Sequence, residues 1–172
     1  PGGGAIRIDA DRVTVDGKIS ADGTGTTSWY EGGGAGGSVW IVTGVLAGSG
    51  TIAADGGSTS LNGASGGGAG GRVVVEYSEA MTLPGANITA DGGSGPAGNG
   101  HDGTVAVLDR SAGKDDLHIY TSFSIEPGRL FAMNSVALHG GTTELGGGAN
   151  LEVAAALTMA GDAELIVQSR DL

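Results

Sequence analysis

A repeat constrains this chain more than any other feature. Ile6, Val13, Ile19 and Asp22 match Val39, Leu46, Ile52 and Asp55 at a constant offset of 33, and Gly17, Ala21 and Gly23 match Gly50, Ala54 and Gly56 at the same spacing. The segment Gly-Gly-Gly-Ala-Gly-Gly at 32–37 recurs identically at 66–71, and Ala-Asp-Gly at 21–23 and 54–56 returns at 90–92. A fourth copy starts at Thr104-Val105-Ala106-Val107 and then decays. Ungapped self-similarity at such a period marks a repeat architecture in which each unit is too small to bury its own apolar face.

Within the first unit Ile6, Ile8, Val13, Val15 and Ile19 alternate with Arg7, Asp9, Arg12, Thr14, Lys18 and Ser20. A period of two is the signature of half-buried strands. No helical apolar period occurs in this half. Each unit therefore reads as a glycine-rich loop, an alternating strand, a second strand, a turn, a third short strand and Ala-Asp-Gly. The expected fold is all-β: a right-handed parallel β-helix (β-solenoid) with its glycine-rich loops stacked on one side, equivalent residues lying about 4.8 Å apart. A propeller needs about four antiparallel strands in each 40–45-residue blade, and a sandwich does not keep a 33-residue offset, so both are minor alternatives.

Glycine supplies 37 of 172 residues, and 29 of them lie in residues 1–104. Disorder does not explain this, because the hydrophobic fraction is 39% and apolar strings such as Val39-Trp40-Ile41-Val42 recur. Collagen needs glycine at every third position with abundant proline, whereas proline occurs four times. Glycine clusters placed one repeat apart permit close backbone approach; flexible surface loops are the plainer reading. The glycine distribution divides the chain into repeat units over 1–112 and shorter coils of the same solenoid over 113–172. Short strands are predicted there at 118–120, 135–139, 150–153 and 164–167, with a helix over 151–159 as the competitor because of Ala154-Ala155-Ala156.

Eight basic against 19 acidic residues give a net charge of −11, a poor field for nucleic acid or anionic membrane. No cysteine is present, which removes disulfides and thiol chemistry. No apolar run approaches the 18 residues of a membrane span. The opening Pro-Gly-Gly-Gly, without Met, reads as a piece of something longer.

Stacked repeats bring Asp22, Asp55 and Asp91 into one column, with Asp102 close behind. Carboxylates 4.8 Å apart repel by about 1 kcal/mol in water; backbone donors are the plainer compensation and a calcium ion the sharper one. Gly98-Asn99-Gly100-His101-Asp102 is one imperfect copy of a calcium-binding nonapeptide. Trp29, Tyr30 and Trp40 are the candidate carbohydrate or partner contacts, Trp40 because it falls on an outward position of its strand. The best local acid pair is Asp115-Asp116, with Arg110 and His118 nearby, but neighbours on a strand point to opposite faces. His101, His118 and His139 have no metal spacing, and neither a G-x-S-x-G elbow nor a phosphate loop occurs.

Ala-Asp-Gly followed by Gly-Gly-Gly-Ala-Gly-Gly-Ser-Val-Trp-Ile, repeated as Ala-Asp-Gly-Gly and Gly-Gly-Gly-Ala-Gly-Gly-Arg-Val-Val-Val-Glu-Tyr, resembles the glycine-rich β-helical repeats of large secreted bacterial surface proteins, adhesin-like or autotransporter-passenger-like. The likeness covers residues 2–107 and is one of repeat style. It implies an extracellular structural or adhesive role, a fibre or stalk element without catalytic residues, associating with copies of itself or with neighbouring domains. A carbohydrate-active enzyme or polysaccharide-binding module is the alternative. A groove that gathers three or more charged side chains separates the two.

Overall fold

A computed structural model of the chain describes residues 1–28, 31–60 and 64–168. The alternating segments form long strands, β1 (Ala5–Thr14), β3 (Ser38–Ala47), β5 (Arg72–Met81) and β7 (Thr104–Asp109), and short ones between them, β2 (Lys18–Ser20), β4 (Thr51–Ala53) and β6 (Ile88–Thr89). Beyond them lie β8 (Asp116–Ile119), β9 (Phe123–Ile125), β10 (Leu130–Leu138), β11 (Thr142–Leu145), β12 (Asn150–Met159) and β13 (Glu164–Val167). Residues 150–159 are thus a strand rather than the competing helix: the alternation of Leu151 and Val153 with polar neighbours pairs with Phe131 and Met133 of β10, outweighing the alanine run.

The offset of 33 is a parallel register. Ile6 faces Val39, Val13 faces Leu46 and Ile19 faces Ile52 across β1–β3 and β2–β4. Strands β1, β3, β5, β7, β8, β10 and β12 form one seven-stranded sheet in that order, while β2-β4-β6 and β9-β11-β13 form two small parallel sheets.

The expected right-handed parallel β-helix is overturned at β7. That strand pairs parallel with β5 but antiparallel with β8, so the large sheet is mixed and the second layer is broken in two. A 3-10 turn at Ser111–Gly113 reverses the chain; Gly113 takes φ +75°, the Ser111 N–H donates to Asp109 Oδ1 (2.8 Å), and Lys114 N–H donates to Ser111 O (3.0 Å). The reversal also moves the interior to the other side. Val105 and Val107 belong to a first core with Val39, Ile41, Leu46, Ile52, Val73, Val75 and Ile88, whereas Ala106 belongs to a second with Leu117, Ile119, Val136 and Leu138. Alternate residues of a strand point to opposite faces, so the two cores lie on opposite faces of one sheet. A solenoid has a single interior, which this arrangement does not.

The glycine clusters form an ordered layer beside the first core. Thr24 N–H donates to Pro1 O, Gly34 to Thr24, Gly57 to Gly34, Gly68 to Gly57, Gly93 to Gly68 and Gly100 to Gly93, all at 2.8–2.9 Å. These bonds zigzag between two rows of extended, non-strand backbone. Gly33 and Gly36 donate within their own row, to Gly66 and Ala69, while Gly34 and Gly37 donate across, to Thr24 and Ala21. Each direction recurs every third residue, the period of a three-residue-per-turn extended helix rather than of a strand. A Cβ on Gly33, Gly34, Gly57, Gly68 or Gly93 would overlap a backbone carbonyl.

Candidate functional site

Strand β5 shifts register against β3 near its middle. Thr43 faces Tyr77 but Val45 faces Ala80, so Gly44 alone stands opposite Ser78 and Glu79: a β-bulge in β5. Such a bulge re-aims side chains. It opens a groove of about 460 Å³ lined by Asp9, Asp11, Thr43, Gly44, Glu76, Tyr77, Glu79 and Arg110 among others. Gly44 forms its floor, where a Cβ would come 2.7 Å from Asp11 O and 3.3 Å from Glu79 Oε1.

Four carboxylates and one guanidinium meet here. Arg110 spans the groove end, its Nε donating to Glu76 Oε2 (3.1 Å) and its NH1 group to Asp115 Oδ1 (2.6 Å). The indole Nε1 of Trp40 donates to the other Glu76 oxygen (3.1 Å), and Arg7 lies 4.4 Å above that ring. A charged and aromatic row thus crosses β1, β3 and β5 and ends just past β7, Arg7 to Trp40 to Glu76 to Arg110. Tyr77 is pushed up to about 12 by burial first, then by its hydrogen bond to Asp109 and that carboxylate's charge. Burial alone raises Asp109, but Ser111 and Tyr77 outweigh it and hold the carboxyl below its usual range.

The residues singled out from sequence fall as follows. Trp40 is 40% exposed, as its outward position requires, but one face is occupied by Arg7. Trp29 and Tyr30 lie outside the described residues. The aspartate column exists, and two of its carboxylates meet a backbone donor of the next repeat: Asp55 N–H donates to Asp22 Oδ1 and Asp91 N–H to Asp55 Oδ1, both at 2.9 Å, while Asp102 Oδ1 accepts from the Gly92 N–H at 2.8 Å. Lys18 Nζ is 2.6 Å from Asp22 Oδ2. Burial works against the charged form of Asp22, yet Lys18, Ser20 and the Asp55 N–H bring its carboxyl below the ordinary value. Asp91 is raised instead, by burial and then by Asp55 and Asp102. Among the described residues no three His, Asp or Glu side chains are placed to hold one metal ion, so the column's observed partners are backbone amides and a lysine. Asp115 and Asp116 are held apart, the first by Arg110 and the second by Asn134 Nδ2 (2.7 Å).

Sequence reasoning missed the groove. Its acids come from two strands 65–70 residues apart in the chain, and only the insertion of one residue in β5 relative to β3 hinted that the repeat spacing lengthens there. No protein-family model, curated protein or solved structure matches this chain. Among the described residues no helix is long and apolar enough to cross a membrane.

Proposed function

We propose that the chain is a non-enzymatic structural segment of an extracellular bacterial surface or fibre protein, and that it joins end to end with a second copy of itself. One observation carries this reading: among the described residues both layers end in strands with an unpaired edge. In the seven-stranded sheet β1 and β12 are the edges, each ten residues long, and β2 and β13 are edges of the small sheets at the same two ends. Long unpaired edges are templates for further pairing, and monomeric proteins usually blunt them.

The two ends differ. β1 carries Arg7, Asp9, Asp11 and Arg12, all exposed charges. β12 and β13 instead expose Leu157 (44%), Met159 (47%) and Val167 (69%). Leu157 pairs with Val136 and Met159 with Leu138, so both point to the face of the second core. Joining β12 in parallel to β1 of another copy keeps the two adjoining cores on one face, but it sets the apolar edge of β12 against a strand that carries four exposed charges. Pairing β12 antiparallel with β12 of a second copy, about a two-fold axis normal to the sheet, keeps both second cores on one face and brings β13 to β13. Such an isologous contact is closed and self-complementary. A charge of −11 on each copy opposes it, so added salt favours association. Concentration-dependent dimerisation that is lost in Leu157→Lys/Met159→Lys supports the reading, and a chain that stays monomeric at every concentration and salt refutes it.

The second reading is a polysaccharide-binding or carbohydrate-active surface. It is favoured by the groove, which gathers Asp9, Asp11, Glu76, Glu79 and Arg110 beside an exposed Trp40.

A further inference from the structure

Every repeat after the first hands the same backbone donors to the repeat before it. The N–H groups of Ser38, Arg72 and Thr104 donate to the carbonyls of Gly4, Gly37 and Gly71 at 2.9–3.0 Å, and those of Gly37, Gly71 and Gly103 donate to Ala21, Ala54 and Ala90 at 2.7 Å. Thr51 N–H donates to Gly17 O (2.9 Å), while the Asp55 and Asp91 N–H groups donate to the carboxylates of Asp22 and Asp55 at 2.9 Å. The corresponding residues of the first repeat are Ala5, Gly4, Lys18 and Asp22. Among the described residues the N–H groups of Gly4, Ala5 and Lys18 meet no acceptor, and that of Asp22 meets only the Ser20 hydroxyl of its own repeat, at 3.3 Å. The core is open at the same place: Ile6, Ile8 and Ile19 are only partly buried, whereas Val39, Ile41 and Ile52, one repeat further on, are 0–1% exposed.

A second copy of the chain has no repeat edge to offer these donors. Its first three repeats are each covered by the strand that follows, and β7 is closed by the antiparallel β8. We infer that the edge of β1 and β2 is a docking surface for a glycine-rich repeat carried by another polypeptide, which extends the β1–β3 interface by one step. The partner lies parallel to β1 with alternating apolar residues over Ile6, Ile8 and Ile19. It ends in Ala-Asp-Gly, whose alanine carbonyl accepts from Gly4 N–H and whose carboxylate accepts from Asp22 N–H. Main-chain hydrogen bonds supply affinity in such strand addition, and the alternate side chains supply register. The surface lies at the end of the sheet opposite β12 and stands whether or not β12 pairs with its like.

The probe is a synthetic peptide with the sequence of residues 34–58, one whole repeat, added to the isotope-labelled full chain and followed by nuclear magnetic resonance. Saturable binding is expected, with the amide signals of Gly4, Ala5, Lys18 and Asp22 shifting and their hydrogen exchange slowing at least tenfold, and the same result is expected in Leu157→Lys/Met159→Lys. Affinity should fall at least threefold for the peptide carrying Asp55→Ala and vanish for a scrambled peptide. In the chain, Ala5→Pro removes an N–H that has no acceptor within the fold, so it should abolish binding while leaving the melting temperature within a few degrees; Lys18→Pro serves where Ala5→Pro misfolds by circular dichroism. No saturable binding, shifts confined to β12 and β13, equal binding of the scrambled peptide, or binding that survives the proline substitution overturns the docking surface.

Discussion

Replacing Gly68 by alanine separates an ordered glycine layer from flexible surface loops. The added Cβ would lie 2.5 Å from the Gly34 carbonyl carbon and 2.9 Å from Gly33 O, inside the 3.0 Å that real Cβ atoms essentially never breach. The obstacle is the backbone of Gly33 and Gly34, held by the bonds from Gly34 N–H to Thr24 O and from Gly57 N–H to Gly34 O, so no side chain can swing aside. Overpacking of well-fitted interiors costs about 1–3 kcal/mol, and a rigid backbone obstacle belongs at the upper end. Alanine returns about 0.4–1 kcal/mol by restricting the unfolded chain. The net loss is about 2–3 kcal/mol, a fall in Tm of about 4–12 °C for a chain of this length. Gly17 is the control: nothing lies within 4 Å of its virtual Cβ, so Gly17→Ala should gain the unfolded-state term and raise Tm by about 1–4 °C. The pair is read by thermal melting, with amide exchange of Gly57 and Gly93 following the layer itself. Equal Tm changes in the two variants, or fast exchange of those amides in the unsubstituted chain, would refute the ordered layer.

Alkaline stability should report on Tyr77. Its phenol is held neutral in the folded chain to about 12 while the unfolded chain releases the proton near its ordinary 10.0, so stability is flat below pH 10 and falls by about 2 kcal/mol between the two values. Denaturant midpoints across that range check this, and Tyr77→Phe should remove most of the slope. If the groove binds neutral polysaccharide, affinity electrophoresis should show retardation that is reduced in Trp40→Ala and in Glu79→Gln; unchanged mobility on every polysaccharide sinks that reading.

Much of the fold could be read from residue types and spacing. Offsets of 33 and then 34 residues gave the strand pairing of β1, β3 and β5 because parallel registers stack equivalent residues, and Ile6, Val39 and Val73 recur at one level. The reversal at Ser111–Gly113 was hidden, since β7 reads Val105-Ala106-Val107, and a strand buried on both faces loses the alternation that tells inside from outside. With it went the second core and the change of face. The aspartate column was legible because turn residues repeat with the unit, but its compensation by Asp55 and Asp91 amides depends on backbone direction, which no side-chain pattern records. The groove depends on a bulge in β5.

Sedimentation equilibrium of the chain between micromolar and millimolar concentration, at low and high salt, tests the structural reading most directly. The mass should rise from 16.6 kDa to twice that value, more readily in salt, and stay at 16.6 kDa in Leu157→Lys/Met159→Lys. A mass of 16.6 kDa throughout, or a dimer that persists in that variant, contradicts assembly through β12 and β13.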